Sequence, residues 1–122
     1  MKNKTFKKFF LLSFLLFYSS VAVQADQKTE IAHLLEYVKT TECKYIRNGT
    51  YHDGVKAAAH IKSKYDYFKN DIASAEDFIR LSATESTMFG NKYYIKCPGS
   101  PKIESRIWLL QELDRYRKQE SK

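Results

Sequence analysis

The sequence predicts a mainly α-helical α+β domain, with about four helices and one small β-hairpin, stapled by a disulfide. Three observations support this fold class. Apolar residues recur at three- and four-residue steps over most of the chain. Two short β-prone runs flank Gly90-Asn91. Two cysteines, Cys43 and Cys97, remain in a chain that begins like an exported protein.

The first 25 residues have the three-part layout of a secretory signal peptide. Four lysines precede an apolar run that starts at Phe9, and the small residues Val23 and Ala25 precede Asp26. The apolar stretch ends at Val23 after 15 residues, whereas a membrane-spanning helix needs about 20. This disfavours the alternative of a structural protein tethered by an uncleaved anchor. We expect cleavage after Ala25, which leaves residues 26–122 as a single small exported domain without a membrane partner.

Most of the positive charge lies in the segment that cleavage removes. The sequence has 21 Lys or Arg against 14 Asp or Glu, and four of the lysines precede residue 26. The remaining chain therefore has a net charge of +3. Its basic and acidic residues are interspersed, with no basic stripe of the kind that follows a phosphate backbone. We expect no nucleic-acid partner.

Helical spacing of apolar residues predicts the four helices and their starting points. Thr29, Asp53 and Ser74 are the expected N-caps of the first three helices, because their side-chain oxygens can accept from free backbone N–H groups. The buried stripe of the second helix is expected to begin at Val55, and Pro98 to Pro101 separate the fourth helix from the preceding strand. The predicted helices span residues 29–41, 53–71, 74–82 and 105–118.

The strands are expected in two places. Residues 44–47 form a short extended stretch that ends at the turn signal Asn48-Gly49, but residues 50–53 do not alternate as a returning strand should. The predicted hairpin instead joins residues 84–88 to residues 93–97. In its second strand Tyr93, Ile95 and Cys97 share one face, which directs Cys97 toward a buried partner.

Cys43 and Cys97 are expected to form one disulfide, because an even number of cysteines in an oxidising compartment indicates pairing. Neither cysteine has a histidine within five residues, and the chain has no Cys-x-x-Cys motif, which disfavours separate reactive thiols. The bond closes a loop of about 55 residues, for which chain entropy predicts a stabilisation on the order of 4 kcal/mol.

Three stretches together resemble the YfeK-like family of small exported proteins of Gram-negative bacteria. They are Ile46 to Gly49 with His52, the run from Ala58 to Lys64 that leads to residues 75–79, and residues 90–96 with Pro98-Gly99. The resemblance covers residues 30–116 and implies a periplasmic location. The family is one of unknown function, so the resemblance implies no activity, substrate or catalytic residue.

The candidate binding residues are Arg47, Asn48, His52 and His60. A loop-borne Arg and Asn beside a helix N-terminus can form an anion pocket. Alternatively, Arg47 pairs with a surface acid and Asn48 only serves the turn. His60 is expected half-buried on the second helix with no acid at helical spacing, so it is either a packing residue bonded to the backbone or part of a ligand site.

No cofactor, metal site or catalytic constellation is predicted. His52 and Asp53 could bind a metal, but two ligands do not make a site, and a third from His33 or a carboxylate would need a tertiary contact. The sequence contains no Gly-x-Ser-x-Gly elbow and no glycine-rich phosphate loop.

The leading hypothesis is therefore a non-enzymatic binding or adaptor module. It would recognise a protein or cell-envelope component through Arg47, Asn48, His52 and the many tyrosines. The alternative is a small-molecule or anion-binding protein with a pocket near Arg47, Asn48 and His60. In that case His52 and Asp53 could support weak hydrolytic chemistry.

Overall fold

A computed structural model describes residues 26–122, and the predicted signal peptide lies outside these residues. The described chain forms four α-helices, one turn of 3-10 helix and a four-stranded antiparallel sheet, so the predicted α+β class is confirmed. The elements in chain order are α1 (Gln27–Lys39), β1 (Lys44–Arg47), β2 (Thr50–His52), α2 (Gly54–Phe68), the 3-10 turn (Lys69–Asp71), α3 (Ala75–Ser82), β3 (Tyr94–Lys96), β4 (Ile103–Glu104) and α4 (Ser105–Glu120).

Two of the three predicted N-caps are confirmed. The side chain of Asp53 accepts from the backbone N–H of Lys56 at 2.9 Å, and Ser74 caps α3 in the same way. The prediction for α1 is wrong, because Asp26 rather than Thr29 is its N-cap. An aspartate both accepts a hydrogen bond and places a negative charge at the positive end of the helix dipole.

The core lies between the helices and one face of the sheet. Val55, the expected start of the buried stripe of α2, is 59% exposed, so that part of the prediction is wrong. The buried stripe starts at Gly54, where α2 passes so close to the end of α1 that an added Cβ would meet backbone carbonyl oxygens. The largest fully buried side chains are Tyr45, Tyr93, Phe78, Ile31, Leu34, Ile61, Ile79, Ile95, Leu109, Leu113 and Val38.

The sheet has the strand order β2-β1-β3-β4, which corrects the predicted hairpin. The tight turn is Asn48-Gly49, whose φ angles of 52° and 77° suit a two-residue hairpin loop, and it joins β1 to β2. Residues 84–88 form no strand, since Glu85 and Lys92 make only an isolated bridge. Strand β3 pairs instead with β1 and β4, through contacts distant in sequence.

The two faces of the sheet differ. On the inner face, Tyr45 and Ile95 are buried in the core, and the Tyr45 hydroxyl donates to the carbonyl of Ala83 at 3.1 Å. On the outer face, Ile46 lies between its cross-strand neighbours Tyr51 and Tyr94 and is not part of the core cluster. The sheet is thus a single layer, with the helical core on its inner side.

The predicted disulfide between Cys43 and Cys97 is confirmed, with a Cα–Cα distance of 4.2 Å across 54 positions of sequence. The two cysteines flank the paired residues Lys44 and Lys96 of β1 and β3. The bond therefore locks the central strand pair of the sheet at one end. Within residues 26–122, no helix is long and apolar enough to cross a membrane.

Candidate functional site

The β1–β2 hairpin places Arg47 and His52 on the inner face of the sheet. His52 is the cross-strand partner of Tyr45, and Arg47 lies two residues beyond Tyr45 on the same strand. Because side chains alternate between faces along a strand, all three are on the side that faces the helices. Tyr45 is buried there, whereas Arg47 and His52 are half-buried at the margin of the core.

Helix α2 presents His60 to the same region. Lys56, His60 and Lys64 are spaced four residues apart and so lie on one stripe of the helix. His60 and Lys64 are half-buried. The set formed by Arg47, His52, Lys56, His60, Lys64 and Tyr93 is called the Arg47 cluster below.

Tyr93 links the cluster to the core. Its ring is buried against Tyr45, at 5.8 Å between centroids, and the His60 ring approaches it edge-on at 5.9 Å. Its hydroxyl lies 3.3 Å from His60 Nε2 and 3.4 Å from Lys64 Nζ. Lys64 Nζ also donates to the backbone carbonyl of Glu85 at 2.6 Å. These contacts fix the positions of His60 and Lys64 through Tyr93 and Glu85, which are remote from α2 in sequence.

The positive charge of Arg47 lowers the pKa of several other titratable groups in the cluster. Burial lowers the pKa of His60 to about 4, and the charges of Arg47 and Lys64 add to this effect. Burial also lowers the pKa of Lys64; the carboxylate of Glu85 opposes the shift and Arg47 adds to it. For His52, burial lowers the pKa, and so do Arg47 and Lys56. The cluster therefore combines fixed positive charges with two imidazoles that favour the neutral form.

The hydrogen bonds of the Tyr93 hydroxyl indicate which ring nitrogen of His60 carries the proton. Lys64 has only donors, so it donates to the Tyr93 oxygen, and the Tyr93 O–H can then donate to Nε2 of neutral His60. In this arrangement the proton of His60 is on Nδ1, which can donate to a ligand. Arg47, Lys64 and His60 then all offer N–H donors, a combination that suits a carboxylate or a phosphate.

Asn48 and Asp53 are engaged in structural hydrogen bonds. Asn48 lies at the tip of the hairpin, and its side-chain oxygen accepts from the amide of Asn91 at 3.2 Å. The Asp53 carboxylate caps α2. The structure thus brings Arg47, His52 and His60 to one face, whereas Asn48 faces Asn91 and Asp53 faces the backbone of its own helix.

The alternatives for Arg47 and His60 can be compared with the observed contacts. Among residues 26–122, Arg47 forms no ion pair, although a surface acid was the alternative expectation for it. His60 bonds to a tyrosine side chain rather than to the expected backbone group. Arg47 and His60 therefore both keep N–H donors that are available to a ligand.

Two cavities of the described chain lie away from the Arg47 cluster. An open cavity of about 640 Å³ is bordered by the starts of α1 and α3 and the end of α4, where Arg117 bridges Glu30 and Glu76. A second of about 310 Å³ lies between α3 and α4. Arg47, Asn48, His52 and His60 border neither cavity. No group of three or more His, Cys, Asp or Glu that could hold a metal ion is found within residues 26–122.

Sequence reasoning missed Tyr93 and Lys64 as members of the site. Tyr93 is expected on a core-facing strand and Lys64 on a solvated helix face, so only a tertiary contact reveals that they meet at His60. The spacing of Lys56, His60 and Lys64 was the available signal, since residues four apart on a helix share a face.

A second polar network, between α1 and α4, also escaped prediction. The buried carboxylate of Glu112 accepts from His33 Nε2 at 2.6 Å and from both Nε and Nη2 of Arg115. His33 stacks on Tyr116 at 4.0 Å between ring centroids. The three polar groups satisfy one another and tie the first helix to the last.

Fold and site together define a small disulfide-closed α+β domain with a cationic, histidine-containing cluster beside its sheet. Residues 25–117 match a family of unknown function (DUF5329), and the chain belongs to this family. Searches of curated proteins and of solved structures found no match to the chain.

Proposed function

We propose that this protein is a non-enzymatic, periplasmic binding or adaptor module that holds an anionic group of a protein or cell-envelope component at the Arg47 cluster. The observation that carries the proposal is the placement of Arg47, without an ion pair among residues 26–122, beside the fixed donors Lys64 and His60. The signal-peptide pattern of residues 1–25 and the resemblance to YfeK-like proteins support the location.

The shape of the cluster favours a macromolecular ligand over an enclosed small molecule. Arg47 and His60 border neither of the two cavities described above, whereas small-molecule sites are usually concave and bury most of their ligand. Arginine is enriched among the residues that contribute most to the affinity of protein interfaces, and Arg47 provides a half-buried guanidinium at the margin of the core.

The same geometry argues against hydrolysis at His52 and Asp53. A histidine base needs a group that orients its ring, and the Asp53 carboxylate is already bonded to the N-terminus of α2. Burial and neighbouring positive charges hold the pKa of His60 near 4, so its neutral ring serves better as a hydrogen-bonding group than as a general acid at neutral pH.

Cross-linking in cells that export the full chain tests this proposal. The chain carries a C-terminal tag, and its cross-linked species are compared between wild type, Arg47→Gln, Lys64→Gln and the control Lys62→Gln. Lys62 lies on the same helix but pairs with Asp66 at the exposed surface. We expect one species to be lost in Arg47→Gln and Lys64→Gln and kept in Lys62→Gln. If Arg47→Gln leaves the pattern of wild type unchanged, the proposal is wrong.

A further inference from the structure

The outer face of the sheet carries tyrosines and a nearly buried isoleucine, whereas a face that only contacts solvent is usually polar. One row across the strands runs Tyr51, Ile46, Tyr94 and Glu104, as the register of the three strand pairs shows. Tyr51 is 61% exposed and Tyr94 half-buried, whereas Ile46 between them is 7% exposed. The row thus presents two tyrosines on either side of a covered isoleucine.

Three lysines lie beside this row, toward the end of the sheet that carries the disulfide. Lys44 and Lys96 are direct cross-strand partners, and like charges directly opposite each other destabilise a sheet. Lys102 places its ammonium over the Tyr94 ring at 4.5 Å. Within residues 26–122 none of these three lysines forms an ion pair, while Glu104 on this face pairs with Lys92. The face therefore has an excess of positive charge that an anion would relieve.

The excess charge of the domain is concentrated in the sheet region. Residues 43–56 and 91–104, which contain all four strands, have six Lys or Arg and two acidic residues. The rest of residues 26–122 has eleven Lys or Arg and twelve acidic residues. The sheet region, which includes Lys44, Lys96 and Lys102 on its outer face as well as Arg47 and Lys56 on its inner side, is thus the part of the domain that attracts an anion.

The spacing of the tyrosines favours a chain of sugar rings as that partner. Tyr51 and Tyr94 are on strands separated by one other strand, which sets them about 10 Å apart. That separation is comparable to the length of a disaccharide unit, so a ring on Tyr51 and the second ring along, beside Tyr94 and Lys102, can belong to one polysaccharide chain. Tyrosine also supplies a hydroxyl that can bond to sugar hydroxyls.

A lipid bilayer fits the same face less well. Membrane-bound surfaces insert apolar side chains below the headgroups, but the one aliphatic residue of this row, Ile46, is covered by its neighbours. An extended acidic peptide would pair through backbone groups at an edge strand, β2 or β4, and would leave Ile46 and Tyr94 in the middle of the row without a contact.

We propose that the outer face of the sheet binds an acidic polysaccharide, with a carboxylate beside Lys44, Lys96 and Lys102 and a sugar ring on Tyr51. This site uses no member of the Arg47 cluster, which is on the inner side of the same sheet. The proposal is independent of the function proposed for that cluster.

Calorimetric titration with polygalacturonate as the acidic probe and dextran as the neutral polymer tests this site. The variants are Lys44→Gln with Lys96→Gln, and Tyr51→Ala. The matched controls are Lys62→Gln with Lys118→Gln, and Tyr67→Ala, since Lys62, Lys118 and Tyr67 are exposed helix residues. Thermal melting checks each fold, and the double lysine variant is expected to melt no lower than wild type because it removes a repulsive pair.

We expect polygalacturonate, but not dextran, to bind wild type and both controls. The double lysine variant and Tyr51→Ala should each bind about tenfold more weakly, which corresponds to about 1.4 kcal/mol. The absence of polygalacturonate binding, equal loss in the controls, or binding to dextran would each overturn the proposal. Binding to vesicles that contain phosphatidylglycerol in place of polygalacturonate would overturn it in favour of a lipid surface.

Discussion

At the scale of single residues, two buried glutamates explain how α4 is held against the rest of the domain. Glu30 of α1 accepts from Nε and Nη2 of Arg117 in α4 at 2.7 and 2.9 Å. Glu112 of α4 accepts from His33 of α1 and is also bonded by Arg115 of its own helix. Both glutamate residues are about 5% exposed. A carboxylate at such a depth is stable only when its oxygens are paired, so these arginines are structural requirements.

The Glu112→Gln substitution is expected to lower the free energy of unfolding by about 1–3 kcal/mol at pH 7, because Gln cannot accept charge-assisted bonds from Arg115 and His33. The hydrogen bonds from Arg115 lower the pKa of Glu112, burial opposes the shift, and the His33 bond adds to it. Since the folded pKa is below the unfolded value, this stabilisation is complete above about pH 4.3 and is lost as the pH falls through the folded pKa.

Urea unfolding at pH 7 and at low pH measures this difference. The difference in the free energy of unfolding between wild type and Glu112→Gln should become smaller as the pH falls. Asp114→Asn is the control, because Asp114 forms an exposed pair with Lys118 on the same helix. A gap that stays constant from pH 7 down to acid would show that the Glu112 charge contributes nothing.

At the scale of elements, the approach of α2 to the end of α1 depends on Gly54. An added Cβ would collide with the backbone carbonyl oxygens of Val38 and Lys39. Helix propensity alone favours Ala over Gly by about 1 kcal/mol. We nevertheless expect Gly54→Ala to destabilise the domain by about 2 kcal/mol, because neither backbone group can move without displacing a helix.

Thermal and urea unfolding of Gly54→Ala test this packing. The exposed residue Ala59 on the same helix gives the matched control, since Ala59→Gly should cost only the propensity difference of about 1 kcal/mol. An unchanged or raised stability of Gly54→Ala would contradict the close contact between the two helices.

The elements also show where sequence reasoning succeeds. Helices were predictable because their periodicity and caps are local: Asp53 and Ser74 cap the helices expected of them. Strand pairing was not, since β3 selects β1 and β4 through contacts distant in sequence, and Asn48-Gly49 proved to be the hairpin turn. The same limit applies to the site, because Tyr93 meets His60 only through the fold.

At the scale of the whole molecule, the two proposed surfaces share one sheet, and the disulfide holds the sheet at the end where β1 meets β3. Cys43 and Cys97 flank the pair Lys44 and Lys96, whose repulsion the bond helps to withstand. The loop it closes contains α2, α3 and all six residues of the Arg47 cluster. The covalent link therefore stabilises both surfaces at once.

Replacement of both cysteines by serine is expected to lower the free energy of unfolding by about 2–4 kcal/mol. Without the disulfide, which links residues 54 positions apart, the unfolded chain regains conformational entropy. For a domain of this size the total is about 5–10 kcal/mol, so the variant should remain folded at 25 °C with a lower urea midpoint. Wild type treated with a thiol reductant should unfold at the midpoint of the variant, and the reductant should leave the variant itself unchanged. Identical midpoints for oxidised and reduced wild type would show that the β1–β3 pair is stable without the bond.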